Sequence, residues 1–229
     1  RIRNSSIPVV VATHGMTLGG GCEIAMHADR CVINGETYGG LVEVGVGLVP
    51  GGGGCKEMLR RAQEYVPANI PDGDLFPYVR RAFENIAMAK VSTSGAEFIE
   101  LGYMTTNDIV TPSFNQQIKL AKDVCLGMIQ AGYKAPRQAT MTALGETARA
   151  GFRVALQGMH RSGFASEHDV LISEKIGYIL TGGDRTPGSI VTEQDILDLE
   201  REAFLSLLGT EKTQERIQHM LMKGKPLRN

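Results

Sequence analysis

The sequence predicts an α/β fold in its first half and a helical region in its second half. Up to about residue 110, short apolar runs such as 7–12 and 30–33 alternate with glycine turns and with stretches that favour helices. From residue 115 onward, apolar residues recur with a helical period, and clusters of turn-forming residues separate the helices. We therefore predict an α/β core over residues 1–115 and a helical region over residues 116–229.

The elements of the predicted core follow from residue type and spacing. Residues 7–12 and 30–33 contain valine and isoleucine, whose branched side chains suit a buried strand. Residues 22–28 contain neither glycine nor proline, so a helix is expected directly after the glycines that precede them. Two further helices are predicted at 54–62 and 75–89, because their apolar residues recur with a helical period.

The second region is predicted to be a series of helices separated by turns. Thr192 and Glu193 form a typical helix start, and Thr210 can open a last helix that runs to Lys223. No chemistry is assigned to the stretch around residues 132–190. The predicted helices cover 117–131, 143–161, 167–181 and 193–208, and turn formers cluster at 132–136, 163–166 and 182–188.

Composition excludes several classes of function. Of 229 residues, 42% are hydrophobic and the net charge is -1, so the chain can bury a core but offers no basic surface for nucleic acid. No apolar run is long enough to span a membrane, and we predict a cytoplasmic protein. The cysteines show no Cys-x-x-Cys spacing, so reduced side chains are expected rather than a metal site or disulfide; they are Cys22, Cys31, Cys55 and Cys125.

Three glycines stand where the first predicted strand passes into the first predicted helix. The amides at a helix start lack partners within the helix, and the helix dipole is positive there, so an oxyanion at Gly20 would be stabilised without a side chain. Glu23 follows one turn later. The alternative is a capped turn in which Glu23 only complements the dipole.

A second acid stands in an apolar, glycine-rich segment. Glu43 has Leu41, Val42, Val44 and Val46 as neighbours, which indicates that the segment is packed. Burial disfavours the charged form of a carboxyl group, and this suits a proton donor near neutral pH. The alternative is an acid in a surface loop.

Together these segments closely resemble the crotonase (enoyl-CoA hydratase/isomerase) superfamily. The form they resemble is the carboxyl-terminal domain of bifunctional 3-hydroxyacyl-CoA dehydrogenases. The resemblance implies the C-terminal part of a crotonase-like ββα spiral followed by an α-helical region. It is carried by residues 8–12 (PVVVA), 14–23 (HGMTLGGGCE), 27–30 (HADR), 37–54, 87–97 (AMAKVSTSGAE), 101–103 (LGY), 199–204 (LEREAF) and 222–226 (MKGKP).

The resemblance implies a role for particular residues in adding water to a trans-2-enoyl-CoA thioester. Glu23 would act as the base on water, and Glu43 would deliver the proton to the alpha carbon. The amide of Gly51 would help to position the water, and the amide of Gly20 would hold the thioester oxygen. Because both acids are present, hydration is favoured over isomerisation, which commonly needs one acid.

The resemblance also implies a binding role for the end of the chain. The terminal helices would close the acyl pocket or pack against a neighbouring subunit, which predicts a homo-oligomer. Lys223 and Lys225 would reach a CoA phosphate as point charges. The alternative is a solvated basic tail.

The chain departs from the family pattern at its beginning. A whole crotonase domain starts well before its triple glycine, whereas this sequence starts at Arg1, directly before a strand. We therefore expect a fragment that holds half an active site, self-associates and is inactive alone, with no cofactor of its own and NAD bound elsewhere in the parent protein. An inactive assembly or regulatory half-domain and an enoyl-CoA isomerase remain as alternatives.

Other readings of the glycine motifs fit less well. Residues 47–57 resemble a phosphate-binding loop, but Lys56 does not directly follow the required glycine, and neither Ser nor Thr comes after it. Gly45 and Gly47 lack the third glycine of a dinucleotide fingerprint. A serine peptidase would need a nucleophilic serine near the triple glycine, where the sequence has none.

Overall fold

The structure is a computed structural model that describes residues 1–64, 66 and 74–229. The chain packs as two compact units, each built from two stretches. The sheet unit consists of Arg1–Leu41 and Val91–Gln138, and the helical unit consists of Val42–Lys90 and Ala139–Asn229. The linear division between residues 115 and 116 stays a prediction. The elements are β1 (Val10–Leu18), α1 (Gly20–Met26), β2 (Arg30–Gly40), a 3-10 helix (Glu43–Val46), α2 (Gly54–Glu64), α3 (Phe76–Ala87), α4 (Gly95–Glu100), β3 (Ile109–Thr111), α5 (Phe114–Gln130), β4 (Thr140–Thr142), α6 (Gly145–Arg161), α7 (Glu167–Leu180), β5 (Ile190–Thr192), α8 (Glu193–Leu208) and α9 (Glu211–Lys223).

The sheet unit is built on three strands in the order β1, β2, β3, with both neighbouring pairs parallel. The predicted α/β character and both predicted strands are confirmed, although β1 starts at Val10 and both strands run further than predicted. Leu18 at the end of β1 lies opposite Gly40 at the end of β2. The longer strands follow from pairing, because each strand satisfies the other's backbone groups up to this edge of the sheet.

Helix α5 is fixed to the sheet by one buried amide. Gln117 is 1% exposed, and its Nε2 donates to the carbonyl oxygens of Thr13 and Val32, both at 2.7 Å. The register of β1 against β2 shifts between Thr13 and Gly15. The carbonyl of Thr13 also accepts from the Thr37 hydroxyl at 3.0 Å, so side chains supply donors where the strand pairing is irregular.

The end of β2 leaves no room for a side chain at Gly39. A Cβ built there would lie 2.2 Å from the Phe98 ring, which is fully buried. The backbone N–H of Gly39 donates to the Ser92 hydroxyl at 2.9 Å. Glycine at this position therefore lets the ring pack directly on β2, which ends three residues before Glu43.

Gly39→Ala is expected to destabilise the protein by about 1–3 kcal/mol, because the buried ring and the strand must move apart. Urea unfolding followed by circular dichroism measures the change. Gly127→Ala is the matched control, since a Cβ at that position of α5 meets nothing within 4 Å. The control should be neutral or slightly stabilising. Equal effects of the two substitutions would contradict the packing argument.

Aromatic rings contribute to the core of the helical unit. The Phe83 and Phe152 rings stack with centroids 4.3 Å apart and join α3 to α6. Helix α2 packs against α3, α7 and α8. Strands β4 and β5 pair antiparallel, with Met141 opposite Val191. These two strands were not predicted, because three residues are too few to show a strand alternation.

The predicted helices are present, with small differences at their ends. Helix α8 begins after a capping box formed by Thr192 and Asp195, which confirms the predicted helix start. Helix α3 ends at Ala87 instead of residue 89, and Ala89 has φ +47°, which lies outside the helical region. Within the part of the chain that the structure describes, no helix combines the length and the apolar character needed to cross a bilayer.

Candidate active site

The triple-glycine turn joins the end of β1 to the start of α1 in the sheet unit. Gly19 is the N-cap and has φ +54°, a conformation that favours glycine. Its N–H donates to the Gly40 carbonyl at the end of β2, at 2.9 Å. The turn is thus anchored to two neighbouring strands, which fixes the direction in which α1 begins.

Gly20 is the first residue of α1, which begins two residues before the predicted start at residue 22. A helix of this kind supplies no carbonyl partner for the N–H groups of its first turn. A Cβ built on Gly20 meets nothing within 4 Å, so the space beside this backbone is open. The position can therefore offer an amide at the positive end of a helix to an approaching oxyanion.

Glu23 lies in the first turn of the same helix and is 6% exposed. Its N–H donates to the Gly19 carbonyl at 3.0 Å, and its carbonyl accepts from His27 Nδ1 at 2.6 Å. The His27 ring therefore carries a proton on Nδ1. Three residues of α-helix advance by about 4.5 Å, so Gly20 and Glu23 lie close along one helix.

Glu43 opens the 3-10 helix in the helical unit. Its carbonyl accepts from the Leu48 N–H at 3.0 Å. This hydrogen bond joins the start of the 3-10 helix to the residue that follows its C-cap. Both carboxylate oxygens of Glu43 are shielded from solvent. The prediction of a packed segment is confirmed, and a freely solvated loop acid does not describe this residue.

Gly51 follows this segment in the same unit and lies against an aromatic ring. A Cβ at Gly51 would lie 2.7 Å from the Phe204 side chain on α8. Only glycine brings the backbone this close to the ring without a shift of the ring. The proposed role of the Gly51 amide in positioning water stays a prediction.

The amide-rich turn after Gly51 is occupied by a carboxylate of the chain itself. Glu200 is fully buried, and its two oxygens accept from the N–H groups of Gly53 at 2.9 Å and Lys56 at 2.6 Å. These groups lie at the start of α2, where a negative charge is stabilised by the helix dipole. The turn is therefore a capped helix start, and this agrees with the rejection of a phosphate-binding loop.

Glu200 is a residue whose role sequence reasoning missed. The only available signal was its position seven residues after Glu193, on the same face of α8. Glu193 is also buried, and its carboxylate lies 3.3 Å from the Lys56 ammonium. Two acids on one face of a helix indicate cationic or amide partners, but spacing alone does not identify them.

Lys223 and Lys225 lie at the exposed end of the helical unit. Lys223 is in the last turn of α9, which ends at Gly224 with φ +65°. Both lysine side chains are exposed. Their contact with a CoA phosphate stays a prediction, as does the alternative of a solvated tail.

The structure thus divides the predicted site residues between the units. Gly20 and Glu23 share one helix of the sheet unit, and Glu43 and Gly51 belong to the helical unit.

Among residues 1–64, 66 and 74–229, no group of three or more His, Cys, Asp or Glu side chains could hold a metal ion. None of the four cysteines, all of which the structure describes, forms a disulfide.

Sequence comparison relates the chain to enzymes of fatty-acid metabolism. Residues 1–65 match the enoyl-CoA hydratase/isomerase family. A "Probable 3-hydroxyacyl-CoA dehydrogenase" of Bacillus subtilis is 42% identical over 233 residues, which cover 100% of this chain and 28% of that protein. A "Fatty acid oxidation complex subunit alpha" of Shewanella oneidensis is 49% identical over 57 residues, covering 24% of this chain and 8% of that protein. The chain therefore spans under a third of the length of these curated relatives.

Two solved structures share the fold at low sequence identity. Carnitinyl-CoA hydratase from Mycobacterium avium has a TM-score of 0.56 and 19% identity, covering 99% of this chain and 64% of that one. A carnitinyl-CoA dehydratase from Mycobacterium avium 104 has a TM-score of 0.55 and 18% identity, with 99% and 64% covered. These likenesses support a common fold and leave the reaction to be argued from the residues.

Proposed function

Since residues 1–65 belong to the enoyl-CoA hydratase/isomerase family, we propose that this chain contributes the acids and one oxyanion amide for the hydration of trans-2-enoyl-CoA to 3-hydroxyacyl-CoA. One observation carries the proposal. Helix α1 has open space beside the Gly20 backbone and a buried acid at Glu23, one turn apart. Acyl transfer and the addition of water to enoyl thioesters both need an amide that donates to the thioester oxygen and a group that takes or gives a proton.

The two acids have separate roles in this proposal. Glu23 takes a proton from water as the oxygen attacks the beta carbon of the enoyl group. Glu43 gives a proton to the alpha carbon, and its shielding from solvent supports this role because bulk water does not compete for the carboxyl group. The Gly51 amide is proposed to orient the attacking water.

The oxyanion role falls to the Gly20 amide. Negative charge builds on the thioester oxygen while water adds to the double bond, and a preorganised N–H at a helix start stabilises that charge. The open space beside Gly20 supports this role, since a ligand can approach the backbone closely. No side chain is needed, which is why glycine suits the position.

Gly20→Pro tests this role because it deletes the N–H while proline is tolerated at the first position of a helix. In the full-length protein, we expect the hydration rate of crotonyl-CoA to fall by about 10²–10³-fold. Gly20→Ala is the matched control, since it keeps the N–H and its Cβ meets nothing within 4 Å. Absorbance of the enoyl thioester measures both rates. Equal rates in the two variants would remove the Gly20 amide from the mechanism.

For the full-length protein we further propose oxidation of the 3-hydroxyacyl product with NAD at a separate domain. The name of the Bacillus subtilis relative supports this partnership. Lys223 and Lys225 are proposed to contact CoA phosphate, and their exposure leaves them accessible to such a group. An assay that couples hydration to NADH formation would show both activities together, whereas a purely structural domain would show no hydration.

A further inference from the structure

We propose that Thr213 and Arg216 of α9 are positioning residues for Glu43. Each donates a hydrogen bond to a backbone carbonyl of the segment that Glu43 opens, Arg216 to Val44 and Thr213 to Gly47. This inference rests on the proposed function, because that function gives Glu43 its catalytic role. Thr213 and Arg216 are three residues apart and therefore share one face of the helix.

A chain of hydrogen bonds ends on the carbonyl of Gly47. The Thr213 hydroxyl donates to that carbonyl at 2.7 Å, and His168 Nε2 lies 2.9 Å from the same hydroxyl oxygen. Because the hydroxyl proton is used toward Gly47, the oxygen must accept from His168, and Nε2 carries the proton. Thr213 is 0% exposed and His168 is 3% exposed, so water does not replace either partner.

Gly47 approaches α9 too closely for a side chain. It caps the 3-10 helix in the left-handed region, with φ +85°. A Cβ built there would lie 2.7 Å from the Thr213 hydroxyl oxygen and 2.9 Å from the Thr213 Cα. The end of the segment therefore packs directly on α9, with the hydroxyl as its polar contact.

Arg216 holds the same segment one turn earlier, at Val44. It is 1% exposed, and its Nη1 donates to the Val44 carbonyl at 3.2 Å and to Asp169 at 2.7 Å. Nη2 donates to the Ser166 hydroxyl at 3.2 Å, and Nε donates to the Asn229 side chain at 2.8 Å. Partners on α7, the chain end and the segment leave the guanidinium in one orientation.

The two anchors together give the segment a rigid support. The side chain of Glu43 projects from a single turn, so a shift of that turn moves the carboxylate with it. Displacement of a reacting group by about 1 Å can cost about a hundredfold in rate. Loss of an anchor should therefore lower kcat while substrate affinity, which depends on other groups, is retained.

Thr213→Val removes the hydroxyl and keeps the shape, whereas Thr213→Ser keeps the hydroxyl. In the full-length protein, Thr213→Val should lower kcat for hydration of crotonyl-CoA by about 10–100-fold with KM nearly unchanged, and Thr213→Ser should restore most of the rate. Thr181→Val is the control for a lost buried hydroxyl, since Thr181, the C-cap residue of α7, is 0% exposed and its hydroxyl donates to the Gly177 carbonyl at 2.9 Å. This control should keep normal kcat.

Hydrogen exchange gives a readout that does not depend on activity. The N–H groups of Gly47 and Leu48 close the 3-10 helix at 3.0 Å each. Their exchange should be about three- to tenfold faster in Thr213→Val and unchanged in Thr213→Ser. Unchanged exchange in Thr213→Val, or normal kcat in an active enzyme, would overturn the positioning role.

The proposed function fails by a different result. If the wild-type protein does not hydrate the thioester, or if Glu43→Gln retains full activity, the catalytic assignment is wrong whatever the exchange rates. A catalytically active protein that depends on Glu43, with a normal Thr213→Val variant, contradicts only the present inference.

Discussion

Replacing either Glu23 or Glu43 by glutamine in the full-length protein is expected to lower crotonyl-CoA hydration by about 10²–10⁴-fold. Glutamine keeps the size and much of the hydrogen bonding of the side chain, but it neither takes nor delivers a proton. Binding of the thioester should be nearly unchanged, since the loss falls on the transition state. Absorbance of the enoyl group measures turnover, and calorimetry measures binding.

Two exposed acids serve as matched controls for these variants. Glu36→Gln changes an exposed carboxylate in the sheet unit, and Glu211→Gln does the same in the helical unit. Both controls should keep normal turnover. If Glu23→Gln or Glu43→Gln also keeps it, that acid has no part in the chemistry. Dependence on one acid alone would favour an isomerase over a hydratase.

The Glu57→Gln variant is expected to lose about 3–5 kcal/mol of folding free energy, because it removes the charge of a buried carboxylate that three buried cations share. Glu57 is fully buried on α2, and its carboxylate lies 2.8 Å from Arg60 and 3.5 Å from Arg61. The Lys56 ammonium, itself 2% exposed, also pairs with it. One carboxylate therefore contacts three buried cations, two of which also pair with a second acid.

Chemical unfolding of the variant and wild type measures this loss. Glu84→Gln is the control, since it breaks a surface pair in which Arg80 Nε lies 2.8 Å from Glu84, with both side chains about half exposed. A surface pair of this kind contributes about 0–1 kcal/mol. Similar losses in the two variants would show that Glu57 is not the centre of the buried charges.

The pH dependence of the Glu57 contribution follows from its pKa. Burial raises the pKa of the Glu57 carboxyl, but the charges of Arg60 and Lys56 outweigh burial and hold it well below its usual range. A group whose pKa is depressed by folding stabilises the protein above its unfolded pKa of about 4.3. The stability difference from Glu57→Gln should therefore stay constant from neutral pH to about pH 5 and shrink only in stronger acid.

The sequence by itself determined the features that depend on neighbouring residues. The glycines before residue 22 place the start of α1, because the helix formers that follow them contain no break. The start of α8 at Thr192 is equally local, since its capping box joins residues only three apart. Glu23 was singled out for the same reason, as an acid one turn after a helix start, and its catalytic role stays a prediction.

The tertiary structure decided the features that join residues far apart in the chain. The Glu200 carboxylate caps α2 across 147 residues, and the Thr213 hydroxyl reaches Gly47 across 166. Gly39 tolerates no side chain only because the Phe98 ring packs on it. Helix propensity and capping act within about four residues, whereas these contacts exist only when the fold brings distant elements together. Local pattern therefore predicts where helices begin and where candidate residues lie along the chain, and packing determines which distant groups contact them.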